Sequence, residues 1–175
     1  MAATKIDRRL NLVVPLDGSG FIHSTPVSLD TVAQFWDLLG RTHAQIFSNG
    51  MSVVNGPRFA WFAMKAMAEK TDADADALMN EIVRLSNVAR LGADPMPLQS
   101  AITRGDITPD EWQEAQGILV FFTLVSSGNA RRQVPAILAA AAELWGFQTT
   151  LLGLTEYSAW LATSKTDASS GEKAA

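Results

Sequence analysis

Two histidines, His23 and His43, are the only candidates for acid–base catalysis by histidine in this chain of 175 residues. A general base needs a partner that orients it, and neither histidine is accompanied by a recognisable signature of such a partner. His43 falls on the apolar side of a predicted helix, where a buried, hydrogen-bonded histidine is the simpler interpretation. Ser24 and Thr25 beside His23 indicate hydrogen bonding at a strand end. A small enzyme or ligand-binding domain that uses His23 or His43 is therefore only the third hypothesis for function.

Acidic residues alternate at Asp72, Asp74 and Asp76, as they do at the start of an EF-hand calcium loop. The remainder of that loop is missing. Its sixth position would be Ala77, where a glycine is needed for the turn, and its twelfth would be Val83, where a bidentate glutamate is needed. We therefore interpret the segment as the acidic N-terminus of a helix, which the helix dipole favours.

Two other clusters also have structural interpretations. Gly18-Ser19-Gly20 lacks the Gly-x-x-x-x-Gly-Lys spacing of a phosphate loop and precedes a predicted strand, so it favours a hairpin turn. Asp106, Asp110 and Glu111 surround a predicted helix start, where capping accounts for them and leaves a hydrolytic carboxylate pair without support. The chain has no cysteine. The sequence therefore predicts no catalytic, cofactor-binding or metal-binding residue.

The N-terminal part of the chain has the pattern of a β-hairpin. Residues 9–14 and 21–25 are partly alternating and apolar, turn residues join them, and Pro26 ends the second strand. A lone hairpin is marginally stable in water, so it must pack on helices or pair with strands of another chain. We expect residues 1–8 to be a flexible N-terminus.

Helical periodicity dominates the remainder. Ser28 is a cap for a helix over residues 29–48, whose apolar stripe comprises Val32, Phe35, Trp36, Leu39, His43, Ile46 and Phe47. A second helix is predicted to begin near Pro57, because proline is favoured in a first helical turn. A third, ending near Leu91-Gly92, would bury Leu78, Ile82, Leu85 and Ala89. Residues 98–104 are expected to form one or two further turns.

A central helix is predicted over residues 108–126. Thr108, Pro109 and Glu111 form a capping box with proline at the first position, and the helix is apolar on more than half of its circumference. Further helices are predicted over residues 134–145 and 155–161, with a disordered tail over residues 163–175. The predicted fold is a single α+β domain over residues 9–162, mostly α: an N-terminal β-hairpin followed by a bundle of five or six helices.

The composition favours contact surface over chemistry. Charged residues make up 18% of the chain, below the usual quarter, which favours apolar area covered by a partner or by a second copy in a homo-oligomer. A net charge of −4 argues against a nucleic-acid partner. No secretory signal is visible, and the longest apolar run, residues 118–125, is too short for a membrane span. We therefore expect an intracellular protein that does not bind membranes.

Several methionines could line a groove for an amphipathic partner helix. Met64, Met67 and Met79 fall at helical spacings, where methionine supplies adaptable contacts. The same spacing is more typical of core residues. We therefore assign no binding residue from the sequence.

Three groups of residues resemble the tail assembly chaperones of tailed bacteriophages. They are residues 10–15 followed by 22–26, the apolar run 119–122, and residues 144–149 leading to 155–157. These pieces are spread over most of the chain and consist of core-type positions, without a catalytic signature.

The resemblance implies a mostly helical, non-enzymatic assembly factor in the host cell cytoplasm. Such a factor would bind a phage tape-measure or tail tube protein until the tail is built. It also implies that a longer product of a programmed frameshift can exist. The alternative is a minor structural virion protein of the phage tail, which would use its hairpin to extend a sheet across subunits.

Overall fold

A computed structural model of the chain describes residues 5–6, 11–16, 20–48, 52–90, 93–130, 132–134 and 136–137. Over these residues it contains six helices and a five-stranded antiparallel sheet, so the predicted mostly helical α+β fold with an N-terminal β-hairpin is confirmed. The elements are β1 (Lys5–Ile6), β2 (Leu12–Pro15), β3 (Gly20–Ser24), α1 (Leu29–Gln34), α2 (Trp36–Ser48), α3 (Ser52–Thr71), α4 (Ala75–Arg84), β4 (Ser86–Arg90), β5 (Met96–Pro97), α5 (Leu98–Arg104) and α6 (Pro109–Gly128).

The sheet has the order β1-β2-β3-β4-β5 and is built around the predicted hairpin of β2 and β3. Ile22 lies opposite Val14 on one side and Val88 on the other, and all three side chains belong to the main core. On the opposite face of the sheet, Phe21 and Ala89 are buried as well. The hairpin is therefore paired within the chain on both sides, by β1 and by β4.

The strand β4 corrects the predicted third helix. That helix ends at Arg84, and residues 86–90 pair with β3 instead of continuing to Leu91-Gly92. The Ser86 hydroxyl donates to the carbonyl of Ile82 at 2.7 Å and lies 2.8 Å from the Ser24 hydroxyl, at the junction of helix and sheet. Burial of Val88 against β3 outweighs the helical spacing of Leu85 and Ala89, because strand pairing depends on residues distant in sequence.

The first predicted helix is interrupted once. Ser28 caps it as predicted, with its hydroxyl accepting from the Thr31 N–H at 3.1 Å. The chain departs from helical geometry at Phe35, which separates α1 from α2. The Phe35 N–H still donates to Thr31 and the Phe35 carbonyl still accepts from Leu39, so the two helices follow each other closely.

Helix α3 begins at Ser52, five residues before the predicted start, and contains Pro57 in its interior. The backbone of Pro57 packs against Gly117 of α6, where an added Cβ would collide with the Pro57 carbonyl. The two helices can approach this closely only because residue 117 has no side chain. Pro57 therefore marks a helix crossing rather than a helix start.

Helix α6 is the central helix, as predicted. Thr108 and Glu111 close the capping box, with the Thr108 N–H donating to Glu111 at 2.7 Å and the Glu111 N–H donating to Thr108 at 3.3 Å. Its middle is buried on all sides, from Leu119 to Val125. It contacts α3 most extensively, and also α2, α4 and β2. The core thus lies between the α2–α3 pair, α6 and one face of the sheet.

Several predicted segments lie outside the described residues. They are most of residues 1–8, in which only β1 is described, the helix over residues 134–145 apart from 134 and 136–137, the helix over residues 155–161, and the tail from residue 163. In the part of the chain that is described, no helix is long and apolar enough to cross a membrane.

Candidate protein-binding surface

Large apolar side chains are exposed at five of the described positions, and all five lie on the first three helices. Leu29 is 86% exposed, Trp36 62%, Phe62 52%, Phe59 40% and Phe47 36%. They belong to two exposed surfaces, which we define with their neighbouring exposed residues. The α2 stripe comprises Leu29, Ala33, Trp36, Gly40, Ala44 and Phe47. The α3 outer face comprises Asn55, Arg58, Phe59, Phe62 and Ala66.

The α2 stripe follows one side of α1 and α2. Its members are separated by three or four residues, which is the spacing of a single helix face, and all are exposed. The opposite side of α2 is buried and carries Leu38, Leu39, Thr42 and Ile46. The stripe contains three large side chains, of Leu29, Trp36 and Phe47, with small residues between them. A helix that packs its inner face in the core thus presents a second apolar face to the surroundings.

The α3 outer face is formed in the same way. Positions 55, 58, 59, 62 and 66 are exposed, whereas Ala60, Met64 and Met67 on the other side are in the core. None of the ion pairs found among the described residues involves Arg58. The face therefore combines two phenylalanine rings with a guanidinium group.

His43 lies at the border of the α2 stripe. Its ring stacks on Phe47 with 4.3 Å between the centroids, and its Cδ2 atom is close to Gly128 at the end of α6. Partial burial lowers the pKa of His43. The imidazole is held as a packing group between two helices.

His23 lies in the middle of β3, opposite Val13 of β2 and Asn87 of β4, and is 6% exposed. The structure thus places the two histidines on different elements, β3 and α2. Neither belongs to a group of three or more His, Asp or Glu side chains that could hold a metal ion, within the described part of the chain.

The acidic segment before α4 has the predicted helix-start role. The Asp74 carboxylate accepts from the Ala77 N–H at 2.8 Å as the N-cap of α4, and Asp76 pairs with Lys65 of α3 at 2.9 Å. These side chains, with Glu69 and Asp72, line an open cavity of about 400 Å³ between the two helices. Capping accounts for the Asp74 carboxylate, and ion pairing accounts for the Asp76 carboxylate.

The three methionines that could have lined a groove for a partner helix are buried in the core instead. Met64, Met67 and Met79 are at most 7% exposed and belong to the core cluster.

The acidic residues around the start of α6 were the other candidates. Asp106 follows α5, where its backbone carbonyl accepts from Arg90, and Glu111 closes the cap of α6. Core packing thus accounts for the methionines, and helix capping accounts for the Glu111 carboxylate.

Trp36 and Phe47 are the residues that sequence reasoning misplaced. Both were assigned to the apolar stripe of the first predicted helix, yet both are exposed, and the buried positions include Thr42 instead. The Thr42 hydroxyl donates to the Leu38 carbonyl at 2.7 Å, which makes threonine compatible with burial in a helix. If threonine is counted among the residues that can be buried, the predicted inner side of the helix becomes the side that is buried in the structure, with Leu38, Leu39, Thr42 and Ile46.

Comparison of the chain with protein-family models, with curated proteins and with solved structures gives no significant match.

Proposed function

We propose that this protein is a tail assembly chaperone that binds a phage tape-measure or tail tube protein through the α3 outer face. It acts in the host cell cytoplasm and without catalysis. The observation that carries the proposal is the exposure of Phe59 and Phe62 on a helix whose opposite side is buried. Contiguous apolar side chains on a protein surface are characteristic of interaction sites.

The chemistry of the α3 outer face suits an amphipathic helix. Phe59, Phe62 and Ala66 follow one another at intervals of three and four residues, which matches the spacing of apolar anchors on a partner helix. Arg58 beside them would pair with an acidic residue of that helix. The family resemblance described above supplies the identity of the partner, a long helical or tube-forming tail protein.

The alternative is a minor structural virion protein that extends its sheet across subunits. The hairpin is already paired by β1 and β4, so an added strand would have to use β1 or β5. Each of these strands has two residues, and Pro97 of β5 has no N–H to donate. The edges of the sheet are therefore poorly suited to this role, and the exposed helix face favours the chaperone.

The test is a pull-down from cells that co-express the tagged chain with the tape-measure and tail tube proteins of the same phage. The variant Phe59→Ser with Phe62→Ser removes both rings of the α3 outer face. The control, Leu29→Ser, removes an apolar side chain from α1 that is 86% exposed, more than either phenylalanine. We expect wild type and control to retain the tail protein, and the double variant to retain at least about tenfold less, as for loss of a pair of interface anchors.

Mass spectrometry of purified particles separates the two functions. A chaperone is absent from finished particles, whereas a virion protein is present at a fixed copy number. Recovery of neither tail protein by the wild-type chain, or equal recovery by the double variant, would contradict the proposal.

A further inference from the structure

The sheet is buried on both of its faces. Along β2, β3 and β4, the residues that alternate with those of the main core are Val13, Phe21, His23 and Ala89, and we call these four the outer sheet face. They are 1%, 2%, 6% and 7% exposed, respectively. An antiparallel sheet with one face in the core commonly has polar, solvated side chains on the other. The outer sheet face is apolar except for His23, so a second layer must lie against it.

The described helices do not provide this second layer. Their buried apolar side chains all belong to the main core cluster, which lies on the other face of the sheet. Of the buried apolar residues that the structure describes, Val13, Phe21 and Ala89 are the three that are not part of that cluster. The cover of the outer sheet face therefore comes from residues outside the described ranges of the same chain.

One segment has the composition that such a cover requires. Residues 144–161 carry five leucines and the aromatic side chains of Trp145, Phe147, Tyr157 and Trp160. A buried aromatic side chain removes about 150–250 Å² from water, so two or three of them are enough to cover the four residues of the outer sheet face.

The other stretches outside the described ranges lack this composition. Those before residue 138 have at most four residues, and none carries more than one large apolar side chain. Residues 7–10, which join β1 to β2, are Asp, Arg, Arg and Leu, and charged side chains of this kind belong in water. Residues 162–175 contain no large apolar side chain.

The segment also begins close enough to reach the sheet. Ile137, the last described residue, packs against the main core cluster. The chain can place residue 144 up to about 23 Å from there, at roughly 3.3 Å per residue. This distance exceeds the radius of gyration of about 15 Å that is typical of a domain of this size.

We infer that the outer sheet face is the docking surface for residues 144–161 of the same chain. The segment forms the second layer over the sheet, with Trp145 and Trp160 as its largest side chains. The docking surface is carried by the sheet, whereas the proposed function uses α3, so the two proposals can fail separately.

The first test maps the neighbours of the outer sheet face by photo-cross-linking of the full chain. Asn87 is replaced by the photoreactive residue benzoylphenylalanine, because Asn87 lies opposite His23 on this face and is exposed. In the control the same replacement is made at Lys70, an exposed position of α3. We expect mass spectrometry to find cross-links within one chain from position 87 to residues 144–161, and none to that segment from position 70. Cross-links from position 87 only to residues 1–10 or to a second copy, or equal cross-linking from both positions, would overturn the inference.

The second test uses single thiols, because the sequence has no cysteine. Val13→Cys places a thiol on the outer sheet face, and Val88→Cys places one on the core face of the same sheet. Trp145→Ser with Trp160→Ser is then added to each. We expect this pair to raise the rate of thiol labelling at position 13 at least about tenfold, through local opening, and to leave the rate at position 88 unchanged.

The thiol in Val88→Cys separates uncovering of one face from unfolding of the whole chain. An equal rise at both positions would mean that the two tryptophans stabilise the fold as a whole and do not cover this face. No rise at position 13 would mean that other residues cover it. Either result would contradict the inference.

Discussion

His43 couples the stability of the fold to pH through its position between Phe47 and the end of α6. Burial lowers the pKa of His43 in the folded chain, so protonation favours the unfolded chain. The resulting contribution to stability is complete above about pH 6.5, the usual pKa of histidine. It is lost as the pH falls from there through the folded-state pKa.

We therefore expect His43→Gln to weaken the pH dependence of stability. Glutamine is polar and does not titrate, so the variant should lose less of its free energy of unfolding than the wild type between about pH 7.5 and about pH 5.5. Chemical denaturation at the two pH values measures the difference. Since all carboxylates are common to both proteins, equal losses would show that His43 does not carry this dependence.

At the same scale, local hydrogen bonding was predictable and exposure was not. Thr108 and Glu111 form the predicted capping box because its donors and acceptors lie within four residues of one another. Trp36 was placed in one apolar stripe with Leu39, and apolar residues at helical spacing ordinarily face the core. A second apolar face on the same helix is indistinguishable from the first until it is known which one the core covers.

Among the elements, α3 and α6 meet at a contact that allows no additional atom. We expect Gly117→Ala to destabilise the fold, because the new methyl group meets the carbonyl of Pro57, which cannot move without separating the helices. Overpacking of this kind costs about 1–3 kcal/mol, of which the better helix propensity of alanine offsets roughly 1 kcal/mol. Urea denaturation measures the change in free energy of unfolding.

Gly128→Ala is the matched control, because it makes the same change in the same helix. A Cβ at Gly128 has only His43 Cδ2 at 4.0 Å, an ordinary contact. We expect this variant to be as stable as the wild type or slightly more stable. If Gly117→Ala were equally harmless, the crossing of α3 and α6 would be looser than described.

The helix boundaries show where hydrophobic periodicity stops being a reliable predictor. The helices with capping signals, α1 at Ser28 and α6 at Thr108, begin where predicted. The third predicted helix is too long, because Leu85 and Ala89 fit a helical spacing, whereas Ala89 pairs in the sheet with Phe21, which is 68 residues earlier in the chain. The start of α3 was placed too late, since Pro57 resembles a first-turn proline and its partner Gly117 is equally distant in sequence.

For the whole molecule, one core cluster joins the sheet to the helices. Ile22 of β3 and Leu119 of α6 both have no exposed surface and belong to it. We expect Ile22→Ala and Leu119→Ala each to lower the free energy of unfolding by about 2–5 kcal/mol. Each variant should unfold in a single transition, with far-ultraviolet circular dichroism and tryptophan fluorescence changing together. Separate transitions for the two signals would show that sheet and helices are independent units.

The fold class was predictable because it depends on the hairpin and on the number of helices, both of which are local patterns. The candidate site was not, because it depends on which faces of α2 and α3 remain after the core is filled. The composition did indicate the outcome in general terms. A charged fraction of 18% leaves surface to be occupied by apolar groups, and Trp36 and Phe62 are two of them.

The pairing of β3 with β4 also determines the order of events when the chain is synthesised. Ser24 and Ser86 meet in the sheet although 62 residues separate them. At roughly 5–20 residues per second, a ribosome takes about 3–12 s to make that interval. For those seconds the hairpin has been translated without β4, and one edge of β3 has no strand from its own chain to pair with. The edge of β3 is therefore most exposed to pairing with other chains while α1 to α4 are being made, and covering that edge during translation would matter most in that interval.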